Sequence, residues 1–176
     1  MAHKEQREFV ETVKHLHPEY FTGKRVLGVG DLWINGGVRD LFENCDYVGL
    51  DAVRGRGVDV VSLIHEYQPD RPFDVVISCE VWEHCQYLVE SLDHIFGRLL
   101  IPSDGLFVSS HAGTSRVEHG TRRTGEVYCP TNPDYYDSSL SADRYSSLIG
   151  DRLDPIRVIE TPDLSDVYCY GFTHRA

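Results

Sequence analysis

The run FDVVIS, Phe73 to Ser78, is the feature that most constrains the fold. Six residues that are almost continuously apolar, too few for a helix and lacking the alternation of a half-exposed strand, suit a strand buried on both faces of a parallel sheet. Parallel neighbours need crossover connections, so the rest of the chain should alternate strands with helical segments. It does so in pattern. Short apolar runs at Lys24–Gly28, Tyr47–Leu50 and Val58–Val61 precede the central run, and GLFVSSHAG follows it. Between them Val38–Phe42 reads as the start of a helix. Val89–Leu100 reads as a full one, with Leu92, Ile95, Phe96, Leu99 and Leu100 on one face. Near the amino end, within residues 1–20, Phe9, Val13 and Leu16 with Val10 beside them mark an amphipathic helix over Glu5–His17, stopped by Pro18. Leu140–Ile149 predicts another helix, and IRVIET and VYCYGFTHR are close enough to pair as antiparallel strands. The fold class is therefore α/β: a doubly wound, Rossmann-like sheet, mostly parallel with an antiparallel carboxyl-terminal edge strand, and helices on both faces. No repeat or linker divides residues 1–176, which read as a single domain.

Charge and composition narrow the function. A formal net charge of -11 argues against non-specific binding to nucleic acid or to an anionic membrane, since both need clustered Lys and Arg. No run reaches the about 18 apolar residues of a membrane span, and the charged amino end lacks a signal peptide's apolar core, so a cytoplasmic location is expected. The 5 cysteines are scattered and without a C-x-x-C pair, which indicates free thiols. A metal enzyme built on His84, His111, His119 and Cys129 has no ligand spacing on one helix face to support it, and no metal is expected.

In an open α/β sheet the ligand lies beyond the carboxyl ends of the strands. Gly28 and Gly30 fall at the end of the first strand, and Asp51 ends the second, 21 residues beyond Gly30, the spacing at which an acid accepts hydrogen bonds from ribose hydroxyls. An adenosine-type ligand fits this pattern. Trp33 stands where a dinucleotide fingerprint wants its third glycine, which disfavours nicotinamide and flavin cofactors.

Three strings, KRVLGVGDLWINGGVRDLF, YVGLDAVRGRGVDVV and FDVVISCEVWEHC, resemble the first four strands of the class I S-adenosylmethionine-dependent methyltransferases, in particular those with an asparagine-glycine turn after the first strand. The resemblance covers roughly Phe9 to His111. It implies S-adenosylmethionine as cofactor, with Gly28, Gly30, Asp31, Asn35 and Gly36 lining its methionine end and Asp51 with Ala52 holding its ribose. Ser78, Cys79 and Glu80 would face the reacting centre, and Leu63, where the family usually has Asp, would pack on the adenine. The family acid at the position of Gly28 is missing as well. Its loss removes a charge-assisted contact of roughly 1.5–3 kcal/mol unless Asp31 or Glu80 replaces it.

The implied chemistry is methyl transfer to a small-molecule or glycan-like acceptor, a reaction that asks side chains for alignment and, for a protonated nucleophile, a base. Glu80 and His111 are the catalytic candidates, while Glu83 and His84 read as capping residues of the turn after the fourth strand. The polar segment 111–139 is long for a compact domain and is expected to cover the crevice. Its SRVEHGTRR string offers His119, Arg122 and Arg123, with Arg116, to an anionic substrate group. The alternative is a catalytically silent binding module with the same fold.

Overall fold

The computed structural model describes residues 4–174. A helix α1 (Lys4–Leu16) leads into seven strands: β1 (Arg25–Val29), β2 (Asp46–Asp51), β3 (Val60–Val61), β4 (Val75–Cys79), β5 (Leu106–Ala112), β6 (Ile156–Glu160) and β7 (Asp166–Phe172). Two further helices, α2 (Leu88–His94) and α3 (Ala142–Ile149), lie in the connections after β4 and β5. The sheet order is β3-β2-β1-β4-β5-β7-β6. The first five strands are mutually parallel, β7 runs antiparallel to β5, and β6 closes the edge antiparallel to β7. The order of strands reverses between β1 and β4, which sets a crevice at their carboxyl ends.

Every residue of β1, β4 and β5 is buried, as the continuous apolar runs predict. Alternation still sorts the side chains between two layers. Val26, Val75, Ile77, Leu106 and Val108 pack with Val10 and Val13 of α1, whereas Leu27, Val76 and Phe107 pack with Leu92 of α2 and Tyr145 and Ile149 of α3. Helix α1 is tied to β7 by Phe9 against Tyr168, with ring centroids 4.9 Å apart, and by Gln6 Nε2 donating to Asp166 Oδ1 at 3.1 Å.

One expected helix is shorter than its pattern and one changes character. Val38–Phe42 forms only a 3₁₀ turn over Arg39–Leu41, since β2 begins at Asp46 and leaves too short a stretch to support a helical nucleus. The helix expected over Val89–Leu100 is present, as α2 from Leu88 continued by one π turn over Ile95–Leu99 that includes Gly97. The crossovers β1–β2 and β2–β3 therefore carry no α-helix, and loops border that end of the crevice.

Candidate functional site

A cleft of about 240 Å³ opens at the carboxyl ends of β1, β2 and β4. Leu32, Ile34, Leu50, Leu63, Ile64 and Val81 give it apolar walls, and Asp51, Ser62, Glu80 and His84 bring polar groups to it. Such a mixture, mostly apolar with a few placed polar groups, is the usual make-up of a small-molecule site.

The floor is formed by the turn after β1. Gly30 has φ +68°, and a Cβ there would overlap Val81 Cγ2, so this turn requires glycine both for its conformation and for its approach to the β4 turn. The Gly30 amide donates to Leu50 O at 2.8 Å and the Asp31 amide to the same oxygen at 3.1 Å. Asp51 then fastens the next residue: its Oδ2 accepts the Leu32 amide at 3.3 Å and its Oδ1 the Val53 amide at 2.9 Å. A carboxylate has about four lone-pair sites, so acceptor capacity is left for a ligand in the cleft.

Gly28 lies behind this floor. A Cβ there would overlap the Tyr47 hydroxyl and stand 3.0 Å from Asp31 Cγ, so two side chains already fill the space that an acid at position 28 would enter. Asp31 is buried and its carboxyl is pushed up to about 7 by burial, offset in part by Trp33 and Arg39. With Gly30, Gly36, Tyr47 and Cys79 it borders a second, smaller recess on the other side of the turn.

Glu80 follows β4 directly and lies in the left-handed region, at φ 56°, which for a residue with a side chain is uncommon and typical of functional turns. Its Oε1 accepts from Ser110 Oγ at 3.4 Å and its Oε2 lies 3.7 Å from the Arg116 guanidinium, which also pairs with Asp166. Burial first, and then the nearby carboxylate of Glu83, hold the Glu80 carboxyl well above the ordinary carboxylate range.

The segment after β5 does reach the cleft: Tyr128, Cys129, Thr131 and Asn132 form part of its lining. It is pinned by the Asp137 amide donating to Glu83 O at 2.8 Å and by Asn132 Nδ2 donating to Gln86 Oε1 at 2.9 Å. On its inner side His119 and Tyr136 meet His84, with ring centroids 5.1 and 5.4 Å away.

Several expected site residues stand elsewhere. His111 is fully buried outside the cleft, its Nε2 3.2 Å from Leu140 O and its ring edge-on to Tyr145, because the alternation of β5 places it on the α3 side with Phe107 and Ser109. It is a core histidine, pushed down to about 4 by burial. Ser78 is likewise buried and lines neither cavity, and Cys79 faces the smaller recess, so of the three residues expected at the reacting centre only Glu80 borders the cleft. Arg122 pairs with Asp134 at 3.4 Å and Arg123 with Glu118 at 2.7 Å on the outer surface. Arg116 is the arginine of that string that turns inward. Asn35 is exposed and borders neither cavity, whereas Gly30, Asp51, Ala52 and Leu63 all line the main cleft. His84 and His119, set aside as metal ligands in the company of His111 and Cys129 for want of ligand spacing, do come together, with Glu83 in place of the other two, and the ligating atoms of the three all lie within 4.8 Å of one another. The histidine on the distant loop gave no local signal.

No protein-family profile and no curated protein sequence matches the chain. Solved structures do. The N-methyltransferase NodS from Bradyrhizobium japonicum WM9 superimposes with a TM-score of 0.63 at 13% identity, over 97% of this chain and 97% of its own. The 1,6-didemethyltoxoflavin-N1-methyltransferase of Burkholderia thailandensis gives 0.68 at 15% identity, over 96% and 78%. An S-adenosylmethionine-dependent methyltransferase from Clostridium acetobutylicum gives 0.65 at 9% identity, over 100% and 93%. The chain has the class I methyltransferase fold. Within the methyltransferase fold of this chain, the cleft occupies the switch point between β1 and β4, the position that the sheet order alone indicates for a ligand. Among the described residues no helix is long and apolar enough to cross a membrane.

Proposed function

We propose that the chain is an S-adenosylmethionine-dependent methyltransferase acting on a small-molecule or glycan-like acceptor. The observation that carries this reading is the position of Asp51, at the end of β2 in the cleft, with spare acceptor capacity beside the glycine turn at Gly30. The residues present fit the cofactor. The bare backbone at Gly30 leaves room that a Cβ would fill, and Leu63 and Ile64 offer apolar surface for an adenine. Asp51 and Ala52 would hold the ribose, while Gly36 and Asp31, at the smaller recess, would meet the methionine end. Asp31, which burial pushes up to about 7 in the free protein, would take over the acid that Gly28 lacks once the ammonium group favours its ionised form.

When bound, the cofactor supplies a methyl group already activated on a sulfonium. The protein's own contribution is alignment and exclusion of water. Glu80 at the cleft wall, held above the ordinary carboxylate range and steadied by Ser110 and Arg116, is placed to take a proton from an acceptor hydroxyl or amine. Tyr128, Cys129, Thr131 and Asn132 would select the acceptor from the open side. The Burkholderia structure holds 1,6-didemethyltoxoflavin and S-adenosylhomocysteine, which supports a small acceptor for this fold.

Calorimetric titration with S-adenosylmethionine and S-adenosylhomocysteine, with NAD as control, tests the reading. Micromolar binding of the first two, weakened by about ten- to a hundredfold in Asp51→Ala, is expected. Binding of neither overturns it in favour of a silent module, an outcome consistent with Tyr47 filling the space beside Gly28.

A further inference from the structure

We propose that Glu83, His84 and His119 form a binding site for a divalent transition-metal cation at the acceptor end of the cleft. Two of the donors are adjacent in sequence, on the 3₁₀ turn Trp82–His84 that follows β4, and the third comes from the long loop after β5. Glu83 is completely buried, and no side chain bonds its carboxylate; only its own backbone amide and that of Ala112 are turned toward it. Both ring nitrogens of His84, beside it, are without a partner. Buried polar groups are nearly always satisfied, so a carboxylate with acceptor capacity to spare next to an open imidazole calls for an occupant.

His119 shows which way its lone pair points. Its Nδ1 lies 3.0 Å from Val117 O, a carbonyl that can only accept, so Nδ1 carries the proton and Nε2 is free to ligate. That Nε2 lies 3.9 Å from Glu83 Oε1. A backbone carbonyl orienting the far nitrogen of an imidazole is the usual support of a metal-bound histidine. Ligands at about 2.1 Å from a tetrahedral ion stand roughly 3.4 Å apart, so the 3.9 Å between Glu83 and His119 has to close by about half an ångström, and separations of up to 4.8 Å within the group by somewhat more than one.

Two imidazoles and one carboxylate suit Zn²⁺, Mn²⁺ or Fe²⁺ better than Mg²⁺ or Ca²⁺, which prefer all-oxygen shells. The three donors leave at least one coordination position open. His84 lines the cleft, so that position is available to an oxygen of a molecule bound there. The hydroxyl of Tyr136 has no partner either, and its ring packs against the same two imidazoles, 5.4 Å from that of His84 and 5.1 Å from that of His119. Holding an acceptor oxygen is a role that rests on the proposed methyl transfer. The cation site itself does not.

The test uses the untagged full chain, stripped with chelator and titrated with Mn²⁺ by electron paramagnetic resonance and with Zn²⁺ by calorimetry. One equivalent should bind, with affinity reduced at least tenfold in His119→Ala and in the isosteric Glu83→Gln. His119 is only half-buried on a loop, so its variant keeps the core intact, and circular dichroism checks this. Absence of saturable one-equivalent binding, or unchanged affinity in a folded His119→Ala, overturns the proposal. A parallel titration with S-adenosylhomocysteine in chelator separates the two readings. Nucleoside binding without cation binding defeats the metal site alone, and cation binding without nucleoside binding defeats the proposed function alone.

Discussion

The carboxylate of Asp51 accepts the amide of Leu32 at 3.3 Å, so the acid that ends β2 also pins the turn that follows β1. One side chain thereby sets the shape of the glycine turn and faces the cleft. Replacing Asp51 with Ala should weaken S-adenosylhomocysteine binding by ten- to a hundredfold, the effect of losing about 1.5–3 kcal/mol of charged hydrogen bonding. Asp51→Asn keeps one acceptor for the turn and should fall between. Calorimetry on the three proteins decides it, and equal affinities would remove Asp51 from the site.

Gly30→Ala is expected to fail for a different reason. The new methyl group meets Val81 Cγ2, and the backbone at φ +68° disfavours any Cβ. Thermal melts should show a clear loss of stability, of the order of 1–3 kcal/mol. In Gly30→Ala with Val81→Ala the clash is relieved and only the conformational part of the loss should remain.

The arginines of the long loop should behave unequally. Arg122 and Arg123 are paired on the surface, so their replacement by Ala should leave ligand affinity within about twofold and shift stability by under about 1 kcal/mol. Arg116→Ala strips the counter-charge from Asp166 and Glu80. With Arg116 26% exposed and so partly screened, the expected loss is roughly 2–3 kcal/mol, at or just under the lower limit of what breaking a fully buried pair costs. Denaturant titrations of the three variants would expose the reverse ranking if the loop were oriented otherwise.

Asp31 gives a pH signature. Burial pushes its carboxyl up to about 7 from 3.8, so the folded protein favours the neutral form. Its stabilising contribution is complete below the unfolded value and is lost as pH rises through about 7. Asp31→Asn should therefore gain stability relative to the parent chain between pH 5 and 8. A parent-to-variant difference that is flat across that window would show that the carboxyl is ionised throughout.

Much of the sheet was legible from local pattern, because a buried strand must be apolar along its length and β1, β4 and β5 are. The cleft acids were legible for a related reason. Asp51 and Glu80 interrupt apolar runs at strand ends, where the fold puts ligands. His111 was open to correct reading too: counting by two from Phe107 places it on the α3 face, where Tyr145 covers it. What no local pattern contains is the meeting of the Trp82–His84 turn with His119. That contact depends on how the long loop folds back, through the bond from the Asp137 amide to Glu83 O. The outward course of Arg122 and Arg123 is equally tertiary, fixed by Asp134 and Glu118.

The Tyr47 hydroxyl occupies the place that a side chain at residue 28 would need. The two positions are thus sterically coupled: neither can be altered freely while the other stays as it is. Gly28→Glu alone would evict the phenol and disturb β2, whereas Gly28→Glu together with Tyr47→Ala gives the new side chain the room that the phenol now fills.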